Sequence, residues 1–162
     1  MIKRLFQCLA WLLVLLWMGL IFSFSSQNAD ISGQISGSTT SKIIAVIYPG
    51  FDSLSPDEQA EIIDTAEHFV RKSGHLTEYF ILSALLIFAM LFNDFLPMNR
   101  AILAVLISLL YGASDEIHQL FVPGRACRLS DVLIDTLGAA IFASIYILIS
   151  KLINRKNKKA SS

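Results

Sequence analysis

Apolar positions along the chain fall into four long unbroken runs: Leu5 to Phe24, Leu76 to Phe92, Ala101 to Val122 and Val132 to Ile149. Each is near the ~17–25 residues a helix needs to cross the hydrocarbon core of a bilayer. A membrane β-strand would alternate instead. In lipid every backbone polar group must be satisfied within its own segment, so the runs predict helices. The expected fold is an all-α integral membrane protein, one membrane domain over residues 1–162 with spans at about 5–24, 76–92, 101–122 and 132–149. Lys3 and Arg4, the first run and Ser23-Phe24-Ser25 also have the form of a cleaved signal peptide. The run's length and the three spans after it favour a retained anchor.

Composition agrees with the pattern. Of 162 residues, 54% are hydrophobic and 16% charged, where a soluble domain carries roughly 25% charged residues and a disordered chain is less apolar still. The formal net charge of zero hides an asymmetry. With four spans, eight basic residues and one acidic residue (Asp94) fall on the side of the termini, against five basic and twelve acidic on the other. Positive residues near span ends stay inside, so both termini are expected in the cytoplasm. The basic tail, 151–162, is expected to touch anionic lipid, with no nucleic-acid partner. Cys8 and Cys127 fall on opposite sides of the membrane and cannot pair, and no CxxC motif is present.

The outer segment, 25–75, is expected to be partly helical and amphipathic. Ser32 to Ser41, rich in Ser, Thr and Gly, predicts an irregular or mobile stretch, and the apolar residues Ile43 to Tyr48 end at Pro49-Gly50. Ser55-Pro56-Asp57-Glu58 has the form of a capping box with Pro in the first turn. Ala60, Ile63, Ala66, Phe69 and Val70 continue at helical spacing, with Asp57, Glu61, Asp64 and Glu67 as a solvated face. This surface helix is expected to lead into the second span near Ser73-Gly74.

Polar residues gather at the outer ends of the spans: Ser25-Ser26-Gln27, then Arg71, Lys72, His75, Glu78 and Tyr79, then Tyr111, Ser114, Asp115, Glu116, His118 and Gln119, then Arg125 and Arg128, then Asp131 and Asp135. His75 with Glu78, Asp115 with His118 and Gln119, and Asp131 with Asp135 each share a helix face. Carboxylates at membrane depth cost about 2.5–3.5 kcal/mol each on insertion scales, so they face a bundle interior or wet cavity and pair there. A single pocket shared by three helices follows. A structural alternative has Glu78 or Asp135 pairing with Arg71 or Arg125 to lock helices. Glu116 is expected to face solvent or headgroups, Gly112 and Gly138 to be close-packing points, and His118 and Gln27 have helix-end roles as their plain alternatives.

Guanidinium and ammonium groups bind phosphate oxygens, imidazole and carboxylates exchange protons, and Asp115, Asp131 and Asp135 suit a divalent cation. The set therefore suits phosphoester chemistry on a lipid headgroup.

The segments Ser25-Ser26-Gln27, Arg71 to Tyr79, and Ser114-Asp115-Glu116-Ile117-His118-Gln119 followed by Pro123-Gly124-Arg125 and Asp131 resemble the VanZ-like membrane protein family over roughly residues 8–150. The resemblance implies a bacterial plasma-membrane protein, an association with teicoplanin resistance, and a relationship to membrane enzymes acting on lipid headgroups. The active-site positions it implies are His75, Glu78, Asp115, Gln119, Arg125 and Asp131. The sequence departs from the pattern at Asp135, where relatives often carry Asn, at Phe142, where a small residue is common, and at Ala126-Cys127. The expected function is an outer-face pocket that binds a phosphate-bearing lipid or cell-wall lipid intermediate, with modification of that lipid as the enzymatic version. His75, Glu78, Asp115, Gln119 and Asp131 are the catalytic candidates, and Arg71, Lys72, Arg125, Asp135, His118 and Gln27 the binding candidates. The alternative is a non-enzymatic protein binding lipid, antibiotic or a partner. A transporter fits less well, because the ionisable residues do not continue to the cytoplasmic side.

Overall fold

The computed structural model describes residues 2–27 and 29–160, with the backbone alone for 29–36, 68, 159 and 160. Among these residues the chain forms five α-helices, a short 3-10 turn and no strand. They are α1 (Ile2–Ser25), α2 (Ala29–Ile47), the turn Phe51–Ser53, α3 (Pro56–Met90), α4 (Pro97–Gln119) and α5 (Leu129–Ala160). All except α2 are long and apolar enough to cross a membrane, so the chain is a multi-pass membrane protein.

Packing is inverted relative to a water-soluble domain. Large aliphatic and aromatic side chains lie outside, among them Leu5, Leu15, Leu16, Leu110, Leu133 and Leu148, while Asp115, Glu116, Gln119 and Asp135 are at most 3% exposed. Lipid is as apolar as leucine, so helix association relies on close packing and on burying polar groups. Small residues accordingly line the contacts, with Ala101 and Ala104 of α4 and Ala139 and Ala143 of α5 buried. Gly138 is the tightest approach: a Cβ there would overlap the Leu76 carbonyl oxygen of α3. At Gly112 a Cβ would stand 3.3 Å from Asp135 Oδ2 and 3.5 Å from the Tyr79 ring. The expectation of two close-packing glycines holds.

α3 touches all four other helices. Ser55 caps it, accepting the Glu58 N–H while Glu58 accepts the Ser55 N–H at 2.9 Å, with Pro56 in the first turn, as its sequence predicts. At 35 residues it is roughly 52 Å long, well beyond the ~30 Å hydrocarbon core. The surplus projects at one end, where α2 packs beside it through buried Thr40 and Ile44. One expectation is corrected here. Ser32 to Ser41 is helical, inside α2, although the side chains of 32–36 lie outside the described residues; packing of Thr40 and Ile44 outweighs the weak helix propensity of the run. The helix that starts at Ser55 leads into the second span through Ser73-Gly74, as expected, without a break, since a single interior glycine costs only about 1 kcal/mol.

At the opposite end the polar residues act as ties. Gln7 Nε2 donates to Asn93 Oδ1 at 2.7 Å, and Arg100 donates to the Met90 and Asn93 carbonyls and the Tyr146 hydroxyl. Arg100 thereby satisfies one carbonyl at the end of α3 and one just beyond it. Cys8 and Cys127 are both free.

Candidate functional site

The polar residues at the projecting end surround a cavity of about 290 Å³. Arg71, His75 and Glu78 line one wall, at the four- and three-residue steps that keep them on one stripe of α3. Phe24, Ser25 and Gln27 close it from the end of α1, Thr39 from α2, and Arg125 from the loop after α4.

The loop places Arg125 through a turn. Gly124 has φ 76°, a conformation that side chains resist, and Arg125 N–H bonds to the Val122 carbonyl at 3.1 Å. Arg125 Nε then donates to the Gln27 carbonyl, also at 3.1 Å, tying the loop to α1. Burial lowers the Arg125 pKa from its ordinary value, and the neighbouring Arg71 guanidinium adds to that, while Asp115, Glu116 and Asp131 oppose it. The side chain remains a cation throughout the accessible pH range.

Behind the wall lies a buried acidic layer. Gln119 Nε2 donates to Ser25 Oγ at 3.0 Å and to Asp115 Oδ2 at 3.3 Å, joining α4 to α1. Asp135 of α5, 1% exposed, places Oδ1 3.7 Å from His75 Nδ1, and Glu78 Oε2 lies 3.9 Å from the same nitrogen. His75 Nδ1, Asp115 Oδ1, both Asp135 oxygens and the Tyr79 hydroxyl are buried without a hydrogen-bond partner among the described residues. Below this level Trp17 donates to the Glu78 carbonyl at 2.9 Å and Tyr111 to the Met18 carbonyl at 2.6 Å, which fixes α1 against α3 and α4.

The expected site residues separate into groups. Arg71, His75, Glu78, Arg125 and Gln27 line the cavity, and Asp115, Gln119 and Asp135 stand buried behind it. Lys72 does not line the cavity; it is ion-paired with Asp131, and Arg71 Nη2 bonds Glu67 Oε1 at 2.8 Å. The structural alternative is corrected too, because among the described residues neither Glu78 nor Asp135 pairs with Arg71 or Arg125. His118 sits outside the cavity, its ring 4.4 Å from that of Phe22 and its Nε2 3.2 Å from Ser26 Oγ. The three aspartates expected around a divalent cation do not form a metal set, since among the described residues no three His, Cys, Asp or Glu side chains converge in that way.

Glu116 is the main correction within the site. Expected at the surface, it is 1% exposed, and its Oε2 accepts the Arg128 N–H at 2.7 Å. Helix periodicity turns only one of two adjacent residues toward a given neighbour, and it carries no information about a loop folding back over the other. Thr39 was missed for a related reason, because its helix was not legible in a Ser/Thr/Gly run.

Compared with known proteins, the chain matches the model of the VanZ/LLP1 family over residues 10–150. The chain belongs to the VanZ/LLP1 family. In this VanZ/LLP1 member the matched region contains the cavity and the acidic layer behind it entire, from Phe24 to Asp135. No curated protein and no solved structure matches it.

Proposed function

We propose that the protein lies in the bacterial plasma membrane with both termini cytoplasmic, and that its cavity binds the phosphate of an outer-leaflet lipid headgroup. An altered headgroup, or a sequestered one, would change glycopeptide (teicoplanin) susceptibility. The observation that carries this reading is Arg125. It is a half-buried guanidinium facing a cavity at the end of the bundle, with no carboxylate within ion-pair distance among the described residues. A cation partly withdrawn from water without a carboxylate in contact is costly, and a lipid phosphate supplies that contact, its oxygens accepting paired N–H bonds from the planar guanidinium. Arg71 lines the same cavity. His75 beside them is the group suited to give or take a proton at a bound ester.

One observation favours a second reading, binding without turnover. Ser26, whose hydroxyl is in reach of the His118 imidazole, bonds the Phe22 carbonyl at 2.6 Å, and Ser25 Oγ accepts from Gln119. Neither hydroxyl is arranged as a base-activated nucleophile.

The test is a mass-spectrometric profile of membrane lipids, and of lipids co-purifying with the protein, from cells making wild type, Arg125→Gln or neither at matched membrane levels. A headgroup change seen only with wild type supports catalysis. A co-purifying phospholipid lost in Arg125→Gln, without such a change, supports binding alone. Wild type and variant alike in both measurements would sink the proposal.

A further inference from the structure

Resting on that reading, we infer that the headgroup is zwitterionic: an aminoalkyl phosphate of the phosphoethanolamine kind, its phosphate at Arg125 and Arg71 and its primary ammonium at Glu78.

The cavity is built with both signs of charge. Arg125 and Arg71 are its cations, and Arg71 lies close enough for its charge to act on Arg125. Glu78 follows Arg71 by seven residues along α3, about 10 Å of helix rise deeper. Its carboxylate faces the cavity with 22% side-chain exposure, and its one ion-pair contact among the described residues is His75 Nδ1 at 3.9 Å. Asp115 and Asp135 are buried behind the same wall. The rim therefore carries guanidinium groups and the floor carboxyl groups. A headgroup with phosphate alone satisfies the rim but leaves the carboxyl groups of the floor without a donor. One carrying an ammonium beyond the phosphate meets both ends, and a primary ammonium brings three N–H donors to a carboxylate that lacks them.

Size and surface agree. The volume, about 290 Å³, lies at the small end of ligand cavities; it suits a headgroup of a few heavy atoms and not one bearing sugars. Phe24 and Val70 supply apolar wall, and Phe24 is 51% exposed, an apolar edge at the end of α1. That is the edge past which a headgroup still attached to its acyl chains would enter.

The experiment uses the full chain in detergent micelles, titrated with dihexanoyl phosphatidylethanolamine, phosphatidylglycerol and phosphatidic acid. Tryptophan fluorescence is the readout, since Trp17 bonds directly to the Glu78 backbone. Wild type should bind the ethanolamine lipid roughly tenfold more tightly than the other two. Glu78→Gln should bring the three affinities together, and Arg125→Gln should weaken all three. Should Glu78→Gln fail to fold, Glu78→Asp takes its place and should narrow the preference. Equal or tighter wild-type binding of phosphatidylglycerol or phosphatidic acid overturns the zwitterion inference while leaving a phosphate-binding pocket. A preference that survives Glu78→Gln overturns the assignment of the ammonium to Glu78. Binding of none of the three by folded wild type overturns both the inference and the headgroup reading.

Discussion

Asp135 Oδ1 lies 3.7 Å from His75 Nδ1, and both atoms are buried without a hydrogen-bond partner among the described residues. The separation is too long for a hydrogen bond, yet closing it by less than 1 Å would hold the imidazole with Nδ1 turned inward and Nε2 toward the cavity. A buried carboxylate kept in this condition suits function better than stability. Asp135→Asn should therefore fold and melt no lower than wild type, with a gain of up to about 2 kcal/mol. Headgroup affinity, or any headgroup conversion, should fall. Thermal denaturation in detergent and lipid titration check the two halves separately; a large drop in melting temperature would assign Asp135 to the scaffold.

Lys72 and Asp131 form an ion pair between α3 and α5. Breaking a part-buried pair from one side leaves the other charge unmatched. Lys72→Met and Asp131→Asn should each destabilise by about 1–3 kcal/mol, and the double variant by clearly less than their sum. Additive losses in a denaturation cycle would show that the two groups act independently.

Glu116 holds the loop that carries Arg125 by accepting the Arg128 N–H. Glu116→Ala should leave the helices in place and free the loop, with a loss near 1–3 kcal/mol for the missing acceptor. Trypsin cleavage after Arg125 and Arg128 should quicken severalfold in Glu116→Ala, with Glu116→Gln close to wild type because the acceptor remains.

Two glycines give opposite expectations. Gly138→Ala drives a Cβ into the Leu76 carbonyl oxygen, so α3 and α5 must separate. It should cost about 1–3 kcal/mol or more and lower the amount of protein in the membrane. A Cβ at Gly19 meets nothing within 4 Å, and Gly19→Ala should stabilise by up to about 1 kcal/mol through helix propensity. Melting temperatures of the two variants, measured side by side, distinguish a packing glycine from a tolerated one.

Much of this protein follows from local order alone. Four continuous apolar runs require helices because lipid offers the backbone no partner. Ser55 to Glu58 specifies a helix start because a cap is satisfied within one turn. Residues at steps of three and four share a face whatever surrounds them, which is why His75 and Glu78 could be placed together before any tertiary contact was known. Other features depend on contacts between segments distant along the chain. Thr40 and Ile44 make a helix of a Ser/Thr/Gly run only because α3 lies beside them. Lys72 is drawn from the cavity by Asp131, 59 residues away. Glu116 is buried by a loop that folds back twelve residues later, and His118 is taken from the site by Phe22 and Ser26. The sequence by itself determined the number of spans, the fold class and the end of the bundle where the polar groups collect, since those follow from hydrophobicity and helix periodicity. Only the tertiary structure decided which of those groups face the cavity, which neutralise one another and which support the wall, because a side chain's partner is set by what packs against its helix.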